Sequence, residues 1–181
     1  GRLGPWRVLI ASAGIYRLTN GAKYSAERAA AVFNVNLMGV VHAVGAVLPG
    51  MCARNEGRIG VISSIAALLP LPGSAAYSGS KAGLDRYLDC LRVDLRKKNV
   101  KITTISPGFV DTPMLTEEER KSLKNMVPAG VAAERVLWAV ERGQAEHAFP
   151  TWTWLEAWLV GRLPGPVRRW ICGKLPAMEE T

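Results

Sequence analysis

Ile59-Gly60-Val61-Ile62-Ser63 is the stretch from which the fold can be read. It is a β-branched run with no charge, the composition of a strand buried inside a sheet. Pro70, Pro72 and Gly73 then mark a loop. From Ala75 to Lys98 the pattern turns helical. Leu84, Leu88, Leu91 and Leu95 recur at steps of four and three and form one apolar stripe. The last turn, Arg96-Lys97-Lys98, places cations where the helix dipole favours them. Val100 to Ser106 reads as the next strand, closed by Pro107-Gly108. Strand, helix, strand predicts a parallel sheet with a crossover helix.

The same alternation extends outward. Trp6-Arg7-Val8-Leu9-Ile10-Ala11 reads as a short strand entering Ser12-Ala13-Gly14. Ser25 caps a helix that starts at Ala26 and runs to about Arg54, and Asn55-Glu56-Gly57 ends it. No residue between Arg28 and Arg54 is charged, which is long enough for a membrane span. Asn34, Asn36, His42 and Pro49 would be costly in hydrocarbon, so the expectation is a buried core helix. Downstream, Thr116 and Glu119 form a capping box for a short charged helix. Ala132 to Arg142 is another helix, and Ala145 to Trp152 a last short strand.

Composition narrows the function classes. The chain has 181 residues, 49% hydrophobic and 21% charged, one globular domain's worth. Lys+Arg number 23 against 15 Asp+Glu, a net charge of +8. The cations are scattered, with no basic run and no base-reading motif, so no nucleic-acid partner is expected. Cys52, Cys90 and Cys172 lie far apart with no C-x-x-C, which argues against a disulfide framework or thiolate zinc and for a reducing, cytoplasmic setting. His42 and His147 are the only histidines and sit in unrelated segments, so no metal site is expected. Gly1-Arg2-Leu3-Gly4-Pro5 does not read as a signal peptide.

Tyr77 and Lys81 are four apart on the predicted helix and project from one face. A phenol normally titrates near pH 10, and an adjacent ammonium stabilises its anion, so the pair can serve as a general acid/base. Ser64 ends the strand, and Tyr77 follows thirteen residues later, after the Pro/Gly loop. In a parallel sheet ligands sit at the carboxyl ends of strands. A hydroxyl, a phenol and a cation would converge there on a substrate oxygen. Ser78-Gly79-Ser80-Lys81 also matches S-x-x-K, but neither S-D-N nor K-T-G follows. Gly73 to Lys81 lacks the ending of a phosphate loop.

With these residues in place the chain resembles the short-chain dehydrogenase/reductase family. The resemblance rests on Ala11-Ser12-Ala13-Gly14, Asn34-Val35-Asn36-Leu37, Ser63-Ser64-Ile65-Ala66, Tyr77-Ser78-Gly79-Ser80-Lys81 and Pro107-Gly108-Phe109-Val110-Asp111-Thr112, in the family's order and spacing. It implies an α/β fold, the C-terminal portion of a Rossmann-like doubly wound parallel sheet in three layers. It implies NAD(P)(H)-dependent hydride transfer between a carbonyl and an alcohol. Tyr77 would exchange a proton with the substrate oxygen, and Ser64 would orient that oxygen. Lys81 would lower the Tyr77 pKa and hold the nicotinamide ribose. Asn36 would break its helix and hold a water linking Lys81 to solvent. Ala13 and Gly14 would approach the adenosine half. Pro107, Gly108, Val110 and Thr112 would line the nicotinamide and the pyrophosphate side. Met114 and Leu115 are the candidate substrate contacts.

Two departures accompany the resemblance. Ala11-Ser12 stands where the family usually has two asparagines. The glycine-rich turn that gives the pyrophosphate its helix N-terminus is not found before Ala11. The chain therefore reads as a truncated catalytic domain over 1–150, its N-terminal βαβ units missing, with a Trp/Arg-rich tail over 151–181. Poor binding of the cofactor follows as an expectation, NAD and NADP being undistinguished. A homodimer or homotetramer is implied for the complete protein. The tail, with Trp152, Trp154, Trp158 and Trp170 beside Arg162, Arg168, Arg169 and Lys174, packs on the substrate cleft or a partner subunit, or is a candidate peripheral membrane contact. The rival reading is a shortened, non-catalytic binding or membrane-surface protein that keeps old motif residues.

Overall fold

The computed structural model describes residues 5–115, 117–123 and 126–176. In chain order it contains β1 (Val8–Ala11), α1 (Ala26–Phe33), a π turn (Asn34–Met38), α2 (Gly39–Arg54), β2 (Gly57–Ile62), α3 (Ala75–Asp94), β3 (Val100–Pro107), β4 (Val110–Asp111), α4 (Glu117–Ser122), β5 (Val127–Pro128), α5 (Ala129–Glu141), β6 (Glu146–Phe149), α6 (Thr151–Arg162) and α7 (Gly165–Cys172). The main sheet has the order β1-β2-β3-β6, every pair parallel. The short β4 and β5 pair separately.

Side-chain alternation sends the strands' apolar residues to two faces, and helices cover both. On one face, Ile59, Val61, Val100 and Ile102 pack with Val40, Val44 and Met51 of α2 and with Leu84 and Leu88 of α3. On the other, Ile62 and Ile105 pack with Ala132, Val136 and Val140 of α5 and with Phe149. The result is three layers, α/β/α. Gly60 faces α5 so closely that a Cβ there would lie 2.4 Å from Val140 Cγ2.

The apolar helix follows its capping signals. Ser25 accepts a hydrogen bond from Arg28 N at 3.2 Å, and Asn55 ends the helix in a left-handed conformation, φ 53°. Residues Ala26–Arg54 form one helical stretch long and apolar enough to cross a membrane. Val32, Asn36, Val40 and Val44 bury one side of it at four-residue steps.

The end of the last strand differs from expectation. The last strand stops at Phe149, and Trp152 lies in α6. Pro150 is the reason: it has no N–H for the sheet ladder, and its carbonyl instead accepts from Trp154 N at 3.1 Å to start the helix. The tail folds as α6 and α7, and α6 packs on the turn Ile65–Leu68 that follows Ser64. A Cβ on Gly161 would lie 2.8 Å from the Leu68 carbonyl oxygen. The expected cap residue Thr116 lies outside the described residues.

Candidate active site

The site is assembled from segments that leave the carboxyl ends of β1 and β2, together with the π turn and the first turns of α3. Ser64 follows β2, and its hydroxyl accepts from Ala66 N at 3.1 Å, starting the turn Ile65–Leu68. Tyr77 lies in the first turn of α3 and Lys81 one turn later. Lys81 is 3% exposed, and its Nζ donates to the Ile62 carbonyl at 2.8 Å. The same Nζ lies 5.8 Å from the Tyr77 ring centroid.

Asn36 is fully buried in the π turn, so the irregularity expected at this residue is present. Its Oδ1 accepts from Ile15 N at 2.8 Å. Its Nδ2 donates to the Ile15 carbonyl at 3.0 Å and to Ser80 Oγ at 3.2 Å. These bonds bring the loop after β1 against Lys81. A Cβ on Gly14 would lie 3.5 Å from Asn36 Oδ1 and 3.7 Å from Lys81 Nζ, so the Gly14 backbone lies against both side chains. Ala13 is exposed beside it.

Burial, more than the lysine, governs the Tyr77 phenol. Desolvation pushes it above its ordinary value, the Ser64 hydroxyl opposes this, and Tyr16 adds to it. The expected acidification by Lys81 is therefore not seen: its ammonium points at the Ile62 carbonyl. Burial in turn holds Lys81 down to about 8, with Asp85 raising it.

Other expected positions spread more widely. Pro107 ends β3, and Gly108 N donates to the Phe149 carbonyl at 2.8 Å. A Cβ on Gly108 would lie 3.7 Å from Ile65 Cδ1, which ties this segment to the turn after Ser64. Val110 pairs with Val127 in the small sheet. Thr112 turns its hydroxyl to the Val110 carbonyl at 3.4 Å, and its own carbonyl accepts from Arg120 at 2.7 Å. Leu115 is buried, whereas Met114 is exposed, so the two candidate substrate contacts have opposite environments. Among the described residues no three His, Cys, Asp or Glu side chains gather as metal ligands.

Two residues escaped sequence reasoning. Tyr16 is buried and stacks edge-on against Tyr77, centroids 5.5 Å apart at 69°, with its hydroxyl 3.3 Å from Ser74 Oγ. Asp85 is pushed up to about 6, chiefly by burial. Its four-residue distance from Lys81 was the available signal.

The sequence profile of the short chain dehydrogenase family matches residues 1–123. The chain belongs to this family. An uncharacterized oxidoreductase of Myxococcus xanthus is 34% identical over 160 residues, 88% of this chain and 63% of that protein. A 3-oxoacyl-[acyl-carrier-protein] reductase of Thermotoga maritima is 33% identical over 126 residues, 68% of this chain and 51% of that protein. Among solved structures, a short chain dehydrogenase from Burkholderia cenocepacia in complex with NADP matches with a TM-score of 0.78 and 26% identity, over 94% of this chain and 69% of that one. The chain spans 63% of the length of the Myxococcus relative and 51% of the Thermotoga relative.

Proposed function

We propose that the protein is an oxidoreductase that transfers hydride between a nicotinamide dinucleotide and a carbonyl/alcohol pair, with Tyr77 as the proton donor and acceptor. The observation that carries this reading is that Ser64, Tyr77, Lys81 and Asn36 gather beside the carboxyl ends of β1 and β2. Family membership, and relatives described as oxidoreductases and as an NADP complex, support it.

The residues present supply part of a site for such a cofactor. Gly14 lies against the Lys81 ammonium, and the exposed Ala13 adjoins it. Lys81 and Tyr77 would hold the nicotinamide ribose, Ala13 and Gly14 the adenosine side, and Pro107, Gly108, Val110 and Thr112 the nicotinamide and pyrophosphate side. When bound, the nicotinamide supplies or accepts the hydride. The chain's own part is to orient and to move a proton. Ser64 fixes the substrate oxygen near the Tyr77 hydroxyl. Tyr77 gives that oxygen a proton in reduction and takes it back in oxidation. The Ser64 hydroxyl favours the phenolate that results, offsetting part of the burial cost. Asn36 holds the Gly14 loop in register with Lys81.

We further infer a cytoplasmic homo-oligomer in the complete protein, with α2 and α3 at the interface. Ala82, Cys90 and Val93 are exposed on the outer face of α3, with Arg86 among them, and support the interface. The reading of the tail as a membrane contact is favoured by one observation: Trp152 and Trp170 are exposed, and Lys174 and Arg162 sit over tail tryptophan rings.

The test is turnover of ketones and secondary alcohols by the full gene product, followed by nicotinamide absorbance. Tyr77→Phe should reduce turnover by roughly 10²–10⁴-fold. Retained turnover in Tyr77→Phe would sink the assignment.

A further inference from the structure

Asp85 stands one helical turn beyond Lys81 on α3, on the same face. The charged and polar groups acting on it come from three elements. Ser63 faces it from the end of β2, Glu146 from the start of β6, and Lys81 and Asp89 from α3 itself. Arg92, the nearby guanidinium, is committed elsewhere. It pairs with Asp89, and it donates to the Ile102 carbonyl at 3.0 Å and the Ala145 carbonyl at 2.8 Å. Lys81 is thus the cation that acts on Asp85.

The need runs the other way as well. Lys81 is almost fully buried, and an ammonium removed from water is costly unless a counter-charge is close. The Ile62 carbonyl supplies one dipole, not a charge. The Asp85 oxygens are not spent on the backbone. Ser63 leans on the carboxylate and lowers its proton affinity, yet neither Ser63 Oγ nor Asp85 Oδ1 completes a hydrogen bond of normal geometry. A carboxylate with a shielded oxygen and without such bonds acts through its charge rather than by tying the chain together.

We propose that Asp85 is a positioning residue, the counter-charge one helical turn away that keeps Lys81 protonated. Between about pH 6 and about 8 both groups are then charged together. The use of that charge in turnover rests on the oxidoreductase reading; the pairing itself does not.

The experiment is therefore a titration, not an activity assay. The chain is labelled with lysine carrying ¹³C at Cε, and the Lys81 resonance is followed against pH. In Asp85→Asn the Lys81 midpoint should fall by about one pH unit, making the charged-to-neutral ratio about tenfold lower at a given pH. Asp85→Glu should restore most of it. An unchanged midpoint in Asp85→Asn would overturn the proposal. The reciprocal measurement guards against a variant that fails to fold. In Lys81→Met the Asp85 carboxyl, read by ¹³C NMR, should titrate above about 6, and an unmoved carboxyl would also overturn it. Turnover by the full gene product tests the oxidoreductase reading separately, so either idea can fail alone.

Discussion

Replacing Asn36 by alanine probes the link between fold and site most directly. The side chain is fully buried and makes three hydrogen bonds, two to the Ile15 backbone and one to Ser80 Oγ. The Ile15 pair also fixes which end of the amide is oxygen, because the backbone N–H must meet an acceptor and the carbonyl a donor. Each bond contributes about 1 kcal/mol net. Alanine would leave the Ile15 N–H and carbonyl without these partners, so the expected loss is about 3 kcal/mol. That is a large fraction of a typical domain stability of about 5–15 kcal/mol. Equilibrium urea unfolding measures it: the midpoint should fall while the slope stays constant. Asn36→Asp retains the bond from Ile15 N and loses both donated bonds, so it separates the accepted bond from the rest. A loss below about 1 kcal/mol in Asn36→Ala would refute the reasoning, because three satisfied bonds would then be worth no more than one.

Gly60→Ala should cost about 1–3 kcal/mol by overpacking, since its Cβ would meet Val140 Cγ2 at 2.4 Å. In that background Val140→Ala should be less damaging than in the parent, and a double-mutant cycle by urea unfolding that shows simple additivity would contradict the contact. Lys81, held at about 8 by burial against an ordinary 10.5, is relatively more stable neutral in the folded chain. The unfolded chain binds more protons between those values, so this group makes stability rise with pH across that window, by up to about 1.4 kcal/mol per pH unit. Lys81→Met should remove this alkaline gain, and unfolding midpoints that keep it in Lys81→Met would reject the assignment.

What was legible in the sequence was whatever depends on local period. The leucine step in α3 marked its inward side: Leu84, Leu88 and Leu95 are buried, and Leu91 packs against them. The strand at Ile59 to Ser63 could be read because its residues are buried on both faces. Trp152 was misplaced because a strand pattern carried past Pro150, where the missing N–H imposes a stop. Long-range packing was not legible. Tyr16 meets Tyr77 across a gap of sixty-one residues, and no local pattern encodes that contact. The Tyr77 ionisation failed for the same reason. Four-residue spacing brings the ammonium near the ring, but its direction is set by the Ile62 carbonyl, which belongs to another element.

The parallel topology explains why residues so distant in sequence form one cluster. In a parallel sheet every strand leaves at the same end, so the segments after β1, β2 and β3 emerge side by side. The first supplies Gly14, Ile15 and Tyr16, the second Ser63 and Ser64, and the third Gly108. α3 then returns across the sheet with its first turns at that same end, which places Tyr77 and Lys81 there without any special local sequence. Asn36 is the exception, because it comes from within a helix rather than from a strand end. The π turn accounts for this by disturbing the regular helix where the Asn36 amide meets the Ile15 backbone. The strand-end residues therefore need only the fold, whereas Asn36 and its bonds set how closely the first loop approaches Lys81. Loss of the Asn36 amide should for that reason disturb the site as well as stability, through Gly14 and Tyr16 together.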